Sequence, residues 1–186
     1  HFFSPVDKMK LVEIIRGSQT DDKTIARAYD YVQALGKLPI VVNDSRGFYT
    51  SRTFGTFVME GAAMLAEGIP APVIENLAMQ VGMPVGPLAV LDETALSLSV
   101  HVLDQTREDF AKEGKTHTAT PGELFVERMV KEFKRPGRAA GGGFYDYPAN
   151  QKKVLWSELK TRFEKSDLTY SQQDIKDRLL YRQAVE

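Results

Sequence analysis

Two residues near the start of the chain have the types and spacing for acid–base chemistry. His1 opens the apolar run His1-Phe2-Phe3, and Glu13 follows twelve positions later within Leu11-Val12-Glu13-Ile14-Ile15. Both runs read as short β-strands, and Ser4-Pro5-Val6-Asp7-Lys8 between them reads as a turn, with Pro5 restricting Ser4. Neighbouring extended runs can bring an imidazole and a carboxylate together. A carboxylate on one ring nitrogen fixes the tautomer and stabilises the imidazolium that forms when the other nitrogen takes a proton. That is a general base, suited to taking a hydroxyl proton while hydride leaves the same carbon. On spacing alone a plainer reading stands beside it: an exposed histidine and an edge-facing glutamate.

The elements around this pair have a recognisable order. After Glu13, Ile25, Ala28, Tyr29, Val32 and Leu35 recur at helical spacing, with Asp21 and Asp22 where a helix dipole favours anions and Gly36 past the end. Leu38-Pro39-Ile40-Val41-Val42 reads as a strand, so residues 1–43 give β-β-α-β, the tail of an α/β sheet. After Asn43 the pattern turns helical. Phe54, Phe57, Val58, Met64 and Leu65 mark a long helix ending at Gly68, and Pro72 to Val81 a second. Leu88, Leu91, Ala95, Leu98 and Val102 place a third down to about Ala111. Thr120-Pro121-Gly122-Glu123 is a capping box opening a helix to Phe133. Trp156, Leu159 and Phe163 anchor a short helix within the polar segment 148–170, and Ser171 starts a last one. That helix repeats the pattern of Ser51–Glu60 in Asp177–Glu186, a hint of a second helical copy that has only begun.

Composition narrows the class. A hydrophobic share of 42% and a charged share of 26% fit a globular rather than a disordered chain. The net charge of -1 gives no global pull toward nucleic acid or an anionic membrane surface. Without cysteine there is no disulfide, thiol nucleophile or thiolate metal site. No run reaches the roughly 18 apolar residues of a membrane span. His101 and His117 lie sixteen apart with no close third ligand, which argues against a metal site. Lys131-Glu132-Phe133-Lys134-Arg135 with Arg138 forms a basic cluster at a helix end, read as dipole compensation, with a phosphate contact as its alternative. Gly141-Gly142-Gly143 reads as a turn, and no Gly-x-Gly-x-x-Gly follows a strand to seat a pyrophosphate.

Four motifs together resemble one family. His1-Phe2-Phe3-Ser4-Pro5-Val6 with Met9-Lys10-Leu11-Val12-Glu13 is similar to the segment of 3-hydroxyacyl-CoA dehydrogenases that holds the catalytic His and its Glu. Asp44-Ser45-Arg46-Gly47-Phe48-Tyr49-Thr50-Ser51-Arg52 resembles the signature opening their helical domain. Gly82-Met83-Pro84-Val85-Gly86-Pro87 with Leu91-Asp92-Glu93, and Gly137-Arg138 with Gly141 to Tyr147, follow in the family's order. The wording leans toward the multifunctional fatty-acid oxidation subunits, which fuse an enoyl-CoA hydratase to the dehydrogenase and duplicate the helical part.

The resemblance implies a mainly α fold: a helical C-terminal domain at 44–147, preceded at 1–43 by the tail of a Rossmann-like NAD domain. A linker at 148–170 and a truncated second helical repeat at 171–186 complete it. It implies His1 as base, Glu13 as its orienting partner, Ser4 beside the nicotinamide end of NAD, and Ser51 where the family often has a substrate-binding Asn. Ser is shorter and lacks the amide's paired donor and acceptor. The implied substrate is an L-3-hydroxyacyl-CoA, and the implied partners are a second copy and a thiolase subunit. The implied compartment is the bacterial cytoplasm, with mitochondrial matrix or peroxisome in a eukaryote. The chain reads as cut from something longer, inactive alone and prone to dimerise through uncovered apolar faces. NAD-dependent oxidation by the isolated chain would refute the inactivity. Two rivals remain: a helical pairing module, and the helical domain of another hydroxy-acid dehydrogenase.

Overall fold

The computed structural model describes residues 1–185. The chain divides into two compact units, His1–Phe54 and the remainder from Gly55.

The first unit is built on β1 (Leu11–Arg16) and β2 (Leu38–Asn43), joined by α1 (Asp22–Ala34). The strands pair in parallel from Leu11↔Leu38 to Arg16↔Asn43. Val12, Ile14 and Val32 form its small core. The Asp21 side chain caps α1 by accepting from the Thr24 amide at 2.7 Å, and this contact lowers its pKa. Phe2 pairs with Val12 through a single antiparallel bridge. The expected first strand goes no further because the chain folds back at once, with Lys8 and Met9 amides both donating to the Pro5 carbonyl. Lys37 Nζ fastens that turn through the carbonyls of Val6 and Met9.

Helix α2 (Thr50–Glu67) leads into the second unit, which is mainly helical as expected. It continues through α3 (Ala71–Gln80), α4 (Pro87–Thr94), α5 (Leu96–Lys112) and α6 (Pro121–Lys131). A 3-10 turn at Arg138–Ala140 precedes β3 (Tyr145–Asp146), which pairs antiparallel with β4 (Val154–Leu155). α7 (Glu158–Phe163) and α8 (Gln172–Val185) close the chain. The capping box at Thr120 and Glu123 forms as read. Gly122 lies so close to the Met59 carbonyl that a Cβ there would overlap it. Arg178 on α8 pairs with Glu60 and Glu67 on α2. The matching Glu186 of the sequence repeat lies outside the described residues.

One expected helix is two. Ala95 takes a φ of 70° between α4 and α5, where the backbone of Gly137 passes against the Asp92 carbonyl and Ala95. The break turns the apolar stripe. Leu96, Val100 and Leu103 are buried beyond it, while Leu98 and Val102 face outward. The short β3–β4 pair is an element that the sequence reading did not include.

Candidate active site

Glu13 is fully buried at 1% exposure between Val12 and Ile14 on β1. A buried carboxylate must find donors for oxygens that only accept. Reciprocal backbone hydrogen bonds set His1 opposite it: the His1 nitrogen donates to the Glu13 carbonyl at 2.8 Å and the Glu13 amide to the His1 carbonyl at 3.1 Å. His1 Nδ1 then lies 2.7 Å from Glu13 Oε2. An ionised carboxylate assigns the proton to Nδ1, leaving Nε2 as the acceptor. The ring is partly exposed and sits between Phe3 and Phe48, at centroid distances of 4.5 and 5.7 Å.

The other oxygen of Glu13 is held by the start of α2. Glu13 Oε1 accepts from the amides of Tyr49 at 3.1 Å and Thr50 at 2.7 Å, and from Thr50 Oγ1 at 2.7 Å. Gly47 and Phe48, both at positive φ, turn the chain so that these donors meet the strand. An anion at a helix N-terminus also complements the dipole. The pair singled out from sequence is therefore brought together. Tyr49, Thr50 and the flanking rings Phe3 and Phe48 were not singled out; the sequence cues were Phe3's place in the run of His1 and the place of the other three at a helix start.

Ser51 follows Thr50 in the first turn of α2 and is exposed. Ser4 is exposed in the turn that follows Phe3. Nothing in the geometry joins either hydroxyl to the dyad. His101 is exposed, and His117 rests edge-on against Phe110 with Nε2 3.4 Å from Glu123. Among the described residues no group of three or more His, Cys, Asp or Glu could hold a metal. The basic cluster is largely committed internally: Lys131 to Glu127, and Arg135 to Asp146 and the Gly143 and Tyr145 carbonyls.

Three further buried carboxylates lie in the second unit, Glu60, Glu75 and Asp92; none was singled out for a role, and Glu60 is paired with Arg178. Asp92 accepts from the Phe144 amide at 2.7 Å, the Tyr145 amide at 2.8 Å and the Tyr147 hydroxyl at 3.0 Å. Glu75 accepts from the Leu88 amide at 2.8 Å and the Tyr145 hydroxyl at 2.6 Å. Burial pushes both carboxyl pKa values up, against the pull of these donors. A Cβ on Gly86 would overlap the Glu75 carboxylate, and one on Gly143 would overlap Asp92. The Gly-x-Pro-x-Gly-Pro, Leu-Asp and Gly-Phe-Tyr motifs thus meet in one polar knot of hydrogen bonds. Their clustering is architectural.

The chain is similar to known proteins over both of its units. Residues 47–147 match the family model described as 3-hydroxyacyl-CoA dehydrogenase, C-terminal domain, and residues 1–45 the corresponding NAD binding domain. The chain belongs to the 3-hydroxyacyl-CoA dehydrogenase family. It is 34% identical over 158 residues to the fatty acid oxidation complex subunit alpha of Shewanella loihica, covering 85% of this chain. It spans about a fifth (21%) of that relative's length. Among solved structures, (S)-3-hydroxybutyryl-CoA dehydrogenase from Ralstonia eutropha matches with a TM-score of 0.68 and 33% identity, over 80% of this chain and 51% of that one. The dehydrogenase part of multifunctional enzyme 1 from C. elegans matches 97% of this chain and 40% of its own, with a TM-score of 0.61 and 26% identity.

Proposed function

We propose that this chain supplies the base and the helical domain of an NAD-dependent L-3-hydroxyacyl-CoA dehydrogenase of fatty-acid β-oxidation. The observation that carries the reading is the contact of 2.7 Å between His1 Nδ1 and the buried Glu13. In it, His1 Nε2 takes the proton of the substrate's 3-hydroxyl, the C3–O bond becomes a carbonyl, and C3 gives up hydride. Glu13 holds the imidazole in its accepting tautomer and offsets the charge it gains. NAD, when bound, accepts the hydride. Ser4 is assigned to its nicotinamide end and Ser51 to the substrate by one hydrogen bond or through water. The phosphate-cradling glycine loop is not among these 186 residues, so the residues here fit the reactive end of the cofactor alone.

The alpha-subunit name of the relatives supports multifunctional company with a hydratase, and a partner subunit of thiolase type. Their bacterial source supports a cytoplasmic setting. No helix among the described residues is long and apolar enough to cross a membrane. Exposed Leu180, Tyr181 and Val185 on α8 support self-association, which sedimentation at micromolar concentration tests by a dimer or larger species. The decisive experiment joins this chain to a complete NAD-binding unit and follows NADH formation from L-3-hydroxyacyl-CoA. His1→Ala is expected to lower kcat about a thousandfold, within the range for a general base. Turnover untouched by that change would sink the assignment.

A further inference from the structure

We propose that Thr50 is a positioning residue for the His1–Glu13 pair, its hydroxyl pinning Glu13 so that Oε2 stays on the imidazole. This rests on the reading of His1 as the base. Water cannot steady a carboxylate that is 1% exposed, so its direction is set by protein donors. The terminal torsion of a glutamate is broad and has no sharp well of its own. Two of the donors to Oε1 are backbone amides that any residue at this helix start would offer. The third, Thr50 Oγ1 at 2.7 Å, is a choice of side chain.

That choice differs from the habit of three threonines on the helices. Thr53, Thr94 and Thr106 turn their hydroxyls back onto carbonyls of their own helices. Thr50 instead gives its hydroxyl to the buried acid on β1. Its β-branch stiffens χ1 and keeps the donor aimed. Glu13 is thereby held at one oxygen from the side by the hydroxyl and from the helix end by the amides, leaving the other oxygen to His1. The described contacts of the His1 ring comprise Glu13, Phe3 and Phe48, so Glu13 is the ionisable group among them.

Thr50→Val removes the hydroxyl alone, keeping shape and both amide donors; Thr50→Ser keeps the hydroxyl. With this chain joined to a complete NAD-binding unit, Thr50→Val is expected to lower kcat about tenfold, as for one lost hydrogen bond to a charged group. KM for the acyl-CoA should stay within about twofold, because the loss falls on the step where the imidazole gains charge. The acid limb of the kcat–pH profile should move to lower pH: a carboxylate no longer pinned with Oε2 on Nδ1 steadies the imidazolium less, in line with the lower kcat. Thr50→Ser should remain within about threefold of the parent in kcat. Proton NMR of His1 supplies a readout independent of turnover. Its low-field Nδ1 proton should shift or broaden in Thr50→Val and hold in Thr50→Ser. An unmoved proton in Thr50→Val overturns the proposal however His1→Ala behaves, and so does an equal kcat loss in both Thr50 variants. Turnover that survives His1→Ala counts separately, against the base assignment.

Discussion

Three of the buried acids, Glu13, Asp92 and Glu75, all collect backbone amides at a turn or helix start, yet they are used in two ways. Glu13 is 1% exposed, Asp92 0% and Glu75 7%. Asp92 and Glu75 are further paired with tyrosine hydroxyls, and a Cβ on the facing Gly143 or Gly86 would overlap them. Their donors all belong to the fold. Glu13 differs in one partner: its second oxygen meets an imidazole that is partly open to solvent. Burial of an acid is thus no mark of chemistry. What separates the cases is whether one of its partners has a free face and a proton to move.

Substitutions can break the contrast. Glu13→Gln is expected to cost about a thousandfold in kcat, roughly 4 kcal/mol of barrier, because the amide no longer fixes the tautomer or meets the imidazolium's charge. Assay beside a complete NAD-binding unit checks it, and a melting temperature near the parent's separates chemistry from collapse. Gly143→Ala should act oppositely, with its Cβ on the Asp92 carboxylate, destabilising folding by about 3 kcal/mol while the His1 NMR signal of the folded fraction is unchanged. Asp92→Asn should cost about 2 kcal/mol in urea unfolding, since its new NH2 faces an amide or a hydroxyl that wants an acceptor. Arg178→Ala should cost about 1 kcal/mol, after allowance for screening of its partly exposed pairs with Glu60 and Glu67.

The smallest expected effect is on pH dependence. Burial raises the carboxyl values of Glu75 and Asp92, so the folded chain binds protons there more tightly than the unfolded one. The stability they add is present at low pH and declines as pH rises from the ordinary carboxyl value of about 4 through the raised ones. Glu127 has the reverse sign. Arg107 and Lys131 pull its pKa down to about 2, so its contribution is full above the ordinary value and lost as pH falls toward 2. Urea midpoints measured across mildly acidic to neutral pH should show a shallow decline that Glu75→Gln flattens. A slope unaffected by that change would mean Glu75 is ionised in the folded chain as readily as in the unfolded one.

Much of this was legible in the sequence where a local rule acts alone. The cap at Asp21, the box at Thr120 and Glu123, and the stop at Gly36 needed only neighbours along the chain. The His1–Glu13 pair was readable because two short extended runs with a turn between them have few ways to lie. The break at Ala95 was not, since the 3.6-residue stripe continues through it and the backbone packed against it is that of Gly137, far along the chain. Two-residue strands such as Tyr145–Asp146 carry no periodicity to detect. Glu75 was overlooked among Ile74, Leu77 and Ala78, although a charge on the buried face of a helix is itself a signal. Thr50 was overlooked because its partner lies thirty-seven residues away.

The start of α2 doubles as a gauge. The Tyr49 and Thr50 amides each end on Glu13 Oε1, so neither can exchange with solvent unless the acid swings off the helix. Hydrogen–deuterium exchange at those two positions would clock how often the dyad comes undone, with no substrate present. A slow pair of amides would report a base that waits ready; a fast pair, one assembled anew for each encounter.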